Sequence, residues 1–207
     1  MKRPTTRERL RRDGEPATPR QSASLILLRD AQHEPELLLV RRNPQARFMG
    51  GFWVFPGGAV DAGEDHRAAA VRELAEEAGI TNVGPEALVE YSRWITPERI
   101  AIRFDTRFFL ARAPAGARAR ADGEECVGAQ WTSPRAALDA YARGELALVF
   151  PTLRHLEELS AFGSVDALLE HARGREIVAV LPRVVGAANA GEEPRVVLPG
   201  EPGYDDA

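Results

Sequence analysis

Residues 58–80 read Gly-Ala-Val-Asp-Ala-Gly-Glu-Asp-His-Arg-Ala-Ala-Ala-Val-Arg-Glu-Leu-Ala-Glu-Glu-Ala-Gly-Ile, and this stretch decides the fold. Pro56 and an apolar run precede Gly57-Gly58, so a strand ends and the chain turns there. From Asp65 the pattern is helical: Ala and Leu dominate, and no Pro or Gly intervenes until Gly79. Val71, Leu74, Ala75 and Ala78 recur at helical spacing and predict one apolar stripe. At about 100° per residue, Glu73, Glu76 and Glu77 are expected on the opposite face. Gly79 stands where a left-handed C-cap belongs.

That acidic face is poorly compensated. Glu73 and Glu77 form a like-charge i, i+4 pair, and Glu76 and Glu77 lie near the helix C-terminus, where the dipole disfavours anions. Arg72 is spaced to pair with Glu76, but no basic residue lies four beyond Glu73. A divalent cation would relieve the arrangement. Oxygen donors without nearby His or Cys favour Mg²⁺ or Mn²⁺ over zinc. Three glutamates alone would read as a solvated helix face; Gly58, Glu64, Arg72 and Gly79 in register add far more.

The spacing is Gly58, five residues, Glu64, seven residues, then Arg72-Glu73-Leu74-x-Glu76-Glu77-x-Gly79-Ile80. It resembles the signature of the Nudix hydrolase superfamily, with every defining position filled. The resemblance implies an α/β (α+β) fold, a mixed β-sheet sandwiched between helices. It implies hydrolysis of nucleoside diphosphates linked to another group. It also implies a metal site formed by Glu73, Glu76, Glu77 and the Gly57 carbonyl, with Mg²⁺ as cofactor and Mn²⁺ as the alternative. Arg72 is expected to orient the glutamates, and Glu64 to pair with Arg72 or reach a second metal through water. A further carboxylate is expected from outside this element. Asp122-Gly123-Glu124-Glu125 precedes a strand and supplies the candidate base, Glu125 first and Glu124 second; an ordinary acidic turn is the plain alternative.

Upstream, Leu38, Leu39, Arg42, Arg47, Gly51 and Phe55-Pro56-Gly57-Gly58 match, at the right spacing, a motif of the Nudix enzymes that cleave coenzyme A. The chain departs from it at Val40, where Thr is expected, and at Asn43, where Ser or Ala is expected. The segments Arg93–Pro97 and Arg103–Phe109 resemble the same branch. Arg42, Arg47 and Arg103 are therefore expected to contact the pyrophosphate and ribose 3′-phosphate of a small nucleotide substrate, with surface ion pairs as the alternative role. Two rival readings remain: a Nudix hydrolase of ADP-ribose or NADH, and a non-catalytic ligand-binding module. The complete set of glutamates argues against the second.

The 207 residues, 44% hydrophobic and 28% charged, suit one globular domain with extensions. No apolar run approaches a membrane span, no signal-peptide pattern is present, and Cys126 is the only cysteine; a cytoplasmic protein is expected. The first 20 residues carry seven basic against three acidic residues, with three prolines. They read as a disordered basic arm. The body is acidic and lacks a basic-aromatic stripe, so nucleic acid is not an expected partner. Lys2 is the only lysine, which excludes Schiff-base chemistry from the body.

Strands are predicted at Ser22–Leu28, Glu36–Arg41, Phe52–Phe55, Ala87–Trp94, Arg103–Arg112 and Cys126–Thr132. Helices are predicted at Ser133–Ala142, Thr152–Phe162 and Val165–Ala172. Ile177–Leu181 and Arg195–Leu198 are expected to pair as a C-terminal hairpin, a candidate homodimer surface, before a loose tail from Pro199. The expected division is residues 1–20 as arm, 21–182 as Nudix domain and 183–207 as C-terminal strand and tail. Cys126 is expected in the core, and His33, His66, His155 and His171 on the surface.

Overall fold

β1 (Arg20–Arg29) is the axis of the fold, buried from Ser22 through Leu28. Its side chains alternate between two cores, as strand geometry requires. Ala23, Leu25 and Leu27 enter one, and Ile26 and Leu28 enter the other. The computed structural model describes residue 10, residues 14–186 and residues 195–205. Most of the predicted arm and residues 187–194 lie outside that description.

Around β1 stand β2 (Glu36–Arg42), β3 (Trp53–Val54), β4 (Gly57–Ala59), β5 (Val89–Ile95), β6 (Phe104–Arg112), β7 (Cys126–Thr132) and β8 (Ala179–Val180). The sheet order is β3-β2-β1-β6-β5-β8, with β4 paired to β1 and β7 to β2. β1 runs parallel to β6 from Arg20↔Phe104 to Leu28↔Arg112, and antiparallel to β4. Helices cover both faces. α1 (His66–Ala78) buries Ala70, Leu74 and Ala78 over the first core. α2 (Pro134–Ala142), α3 (Phe150–Leu159) and α4 (Val165–Arg173) cover the second.

Local chemistry sets the helix ends. The Asp65 carboxylate caps α1 by accepting from the Arg67 and Ala68 amides, and Gly79 ends it at φ 68°. Ser133 caps α2 with Pro134 in the first turn, as the sequence predicts. α3 begins at Phe150, two residues ahead of the expected start, because Pro151 also fits a first turn.

Three expectations are corrected. The C-terminal pairing differs: Ala179–Val180 joins β5 in parallel, and Arg195–Val197 (β10) pairs with Arg183–Val185 (β9). Pro182 lies between β8 and β9, and its missing N–H ends the first strand. The tail is tied back: the Tyr204 hydroxyl donates to Leu181 O, and Arg183 donates to Tyr204 O. Ordered structure also begins before residue 21. Arg20 opens β1, and Arg103 donates to Ala17 O.

Candidate active site

Gly57 and Gly58 lie in β4, not in the turn the sequence suggested, between β1 and α1 in a space only glycine fits. A Cβ on Gly57 would lie 2.4 Å from Ala23 O and 2.7 Å from Ser24 Cα, both backbone atoms. A Cβ on Gly58 would lie 2.3 Å from Glu73 Oε1. The sheet edge thus brings the α1 glutamates against bare backbone.

The acidic face divides differently from the periodicity reading. Glu73 and Glu77 are buried along with Ala69, Ala70, Leu74 and Ala78, whereas Val71 and Ala75 are only partly covered. The small Ala69 and Ala70 let the helix approach β1 and β4 closely, which widens the buried arc to include the glutamates. Glu76 alone faces outward, its side chain 60% exposed.

Arg72 organises the outer carboxylates. Its Nη2 donates to Glu64 Oε1 at 2.7 Å and to Ala59 O at 2.9 Å. Its Nη1 donates to Glu73 Oε1 at 2.7 Å and to Glu76 Oε2 at 2.9 Å. Glu64 also accepts from the Asp61 amide, and both contacts, Arg72 first, hold its carboxyl below the usual range. Glu77 sits deeper. Its Oε2 accepts from the Gly57 amide at 2.9 Å. Its Oε1 lies 3.4 Å from the Cys126 thiol, which donates to it, and 3.5 Å from Arg42 Nη1. Burial pushes Glu77 up to about 7 and raises Glu73. Cys126 is a core residue, as expected, with its thiol pushed up by burial.

Two buried carboxylates with raised pKa values, one beside the β4 backbone, are sites where a cation would be stabilising. The donors are hard oxygens, which fits a divalent ion of the Mg²⁺ type. Among the described residues no three acidic, His or Cys side chains are gathered as a ready cage. Glu73 and Glu76 turn to Arg72 and Glu77 to Gly57.

A cavity of about 650 Å³ opens beside Glu73. Gly57, Gly58, Glu73, Arg42 and Glu125 line it together with the apolar Trp94, Ile100, Phe104, Phe150, Leu153 and Val196. Of the expected substrate contacts, only Arg42 lines it. Arg47 is exposed on the following loop. Arg103 is buried, donating to Thr96 O at 3.0 Å and Ala17 O at 2.8 Å, so its charge is committed to backbone carbonyls. Glu125 reaches the cavity, whereas Glu124 does not line it.

The sequence reading missed most of the cavity wall. Ser22, Ser24, Thr96, Thr106 and Thr152 line it among the aromatics. Ser22 and Ser24, polar at period two inside an apolar strand, were the available signal. His155 is another correction. It is 1% exposed, packed against Phe55, Tyr91, Trp94 and Phe108, with its Nε2 2.7 Å from Ser92 Oγ. Its place on the apolar stripe of α3 puts it inside.

The NUDIX domain model matches residues 18–153, and the chain belongs to that family. A crystal structure of a NUDIX hydrolase from Alicyclobacillus acidocaldarius superposes with a TM-score of 0.67 at 28% identity, covering 74% of this chain and 96% of that one. A Caenorhabditis elegans protein provisionally named nudix hydrolase 7 is 27% identical over 180 residues, covering 68% of this chain and 60% of its own length. Human acyl-coenzyme A diphosphatase is 33% identical over 93 residues, covering 44% of this chain and 25% of its own length. The chain thus spans less than two thirds of either curated relative. Among the described residues, no helix is long and apolar enough to cross a membrane.

Proposed function

We propose that this protein is a metal-dependent pyrophosphohydrolase of nucleoside diphosphate derivatives, acting on coenzyme A or acyl-coenzyme A. The products are 3′,5′-ADP and the corresponding 4′-phosphopantetheine. The carrying observation is one cavity whose wall holds Glu73 and Glu125 beside Gly57–Gly58 together with many apolar side chains. A substrate with a pyrophosphate and a long, weakly polar arm suits such a mixed lining. The upstream match at Arg42, Arg47 and Gly51, and the human diphosphatase relative, support the same reading.

Glu73, Glu76, Glu77 and the Gly57 carbonyl would hold Mg²⁺ or Mn²⁺, which when bound neutralises charge on the pyrophosphate oxygens. Arg42 makes a charge-assisted contact to phosphate. Arg47, exposed on the loop after β2, meets the ribose 3′-phosphate; Arg103 we assign to structure. Glu125 takes the proton of the attacking water, whose oxygen bonds to one phosphorus while the bridging oxygen leaves with the other. Arg72 and Glu64 keep the helix carboxylates in register.

Product analysis tests this. The protein is incubated with Mg²⁺ or Mn²⁺ and, separately, with coenzyme A, acetyl-coenzyme A, NADH and ADP-ribose, with Glu77→Gln as blank. Release of 3′,5′-ADP, lost in the blank, is the expected result. Cleavage of NADH or ADP-ribose alone would refute the coenzyme A reading. Cleavage of nothing with either metal would leave a ligand-binding module.

A further inference from the structure

We infer that Asn43 is a positioning residue that fixes Glu125 at the cavity mouth. The inference rests on the role proposed for Glu125. Asn43 is one of two positions where the chain departs from the upstream motif, and the structure gives that departure a use.

The ladder between β2 and β7 slips at Arg41/Arg42, so Arg42 faces Cys126. A bulge unpairs a residue and releases the next ones from the regular ladder. Glu125 and Asn43 lie immediately past that slip. Asn43 makes four hydrogen bonds, one of them from the Ala46 amide to its carbonyl at 2.9 Å, and the other three tie it to its surroundings. Its amide donates to Glu125 O at 2.8 Å, its Nδ2 donates to Glu124 O at 2.8 Å, and its Oδ1 accepts from the Gln45 amide at 3.0 Å. A carbonyl on one side and an N–H on the other fix which end of the side-chain amide points where. The side chain therefore joins two loops that frame the cavity, the one carrying Arg47 and Phe48 and the one carrying Glu125.

The opposite flank is held by Asp122. Its carboxylate accepts from the Glu125 amide at 2.9 Å and the Cys126 amide at 2.8 Å. Both peptide groups flanking Glu125 are thus pinned. Its own carboxylate makes no hydrogen bond or ion pair among the described residues, so its reach toward Glu73 is set through the backbone. Serine or alanine at position 43 would keep the main-chain bond to Glu125. Neither reaches Glu124 O, although serine could still accept from Gln45.

The test is a double-mutant cycle on the full chain, with Mg²⁺ and coenzyme A, or with ADP-ribose should coenzyme A be inert. Asn43→Ala and Asn43→Ser are each expected to lower kcat on the order of tenfold, with KM within about twofold, the scale of one lost hydrogen bond. In a Glu125→Gln background neither substitution should lower the residual rate further. Melting temperatures verify that each variant is folded. Equal losses from Asn43→Ala with and without Glu125 would overturn the inference, because Asn43 would then act on the fold at large. Wild-type rates for both Asn43 variants, with Glu125→Gln inactive, would also overturn it. Glu125→Gln at the wild-type rate would remove the role of Glu125 itself, a failure visible without any Asn43 variant.

Discussion

His155 should make the protein lose stability in acid, and the loss can be isolated. The imidazole is buried among four aromatic rings, three of them, Phe55, Trp94 and Phe108, on the cavity wall. Burial, with Arg175 adding repulsion, lowers its pKa from 6.5 to about 3. Because the folded pKa lies below the unfolded one, the unfolded chain binds the extra proton. Stability is intact above pH 6.5 and falls as pH drops toward 3, by about 1.4 kcal/mol per pH unit. Between pH 7 and pH 5 the loss from this residue is about 2 kcal/mol. Glu77 acts in the opposite sense. Its folded pKa, near 7, lies above the usual carboxylate value, so the folded state gains protons over part of the same range. The wild-type curve alone therefore mixes the two. Urea unfolding of wild type and His155→Gln at pH 7 and pH 5 separates them, since Glu77 is common to both. The variant has a fixed penalty at both pH values and lacks the acid-dependent part. A wild-type loss no larger than that of the variant would refute the account of His155 as a buried neutral base.

Three further outcomes follow from the site. Glu77 must shed its proton to ligate a cation, so Mn²⁺ affinity should be about tenfold weaker at pH 6 than at pH 8; calorimetry showing equal affinities would count against it as a ligand. Gly57→Ala and Gly58→Ala should fail in different ways. The first drives a methyl into backbone and should cost about 1–3 kcal/mol of stability. The second displaces only the flexible end of Glu73, so its urea midpoint should stay near wild type while turnover falls. Arg72→Ala releases Glu64, Glu73 and Glu76, and should raise the metal concentration for half-maximal rate about 10- to 100-fold. An unchanged half-point in a Mn²⁺ titration would deny Arg72 that role.

Much of the fold was legible because its determinants are local. Asp65 and Gly79 bound α1 within its own sequence, and Ser133-Pro134 announces α2 by cap and first-turn chemistry alone. The burial of Glu73 and Glu77 was not legible, because periodicity ranks residues by polarity. It cannot register that Gly57 and Gly58 leave room against β1 for a carboxylate. His155, although on the apolar stripe of α3, was misread as a polar surface residue, because its partner Ser92 and most of its ring neighbours come from β5 and β6. The C-terminal pairing was not legible, because β8 takes its partner, β5, from far back in the chain and leaves β10 to the short β9. Asn43 appeared only as a mismatch to a motif, since its contacts at Glu124 and Glu125 lie far along the chain.

The family match ends at residue 153, yet Pro182 and Val196 help wall the cavity. Part of the cavity wall is therefore supplied from beyond the stretch that carries the α1 carboxylates. Substitutions at these two positions would reshape the cavity without touching the α1 carboxylates. Proteins with an identical helix motif can in this way part company over what they cleave.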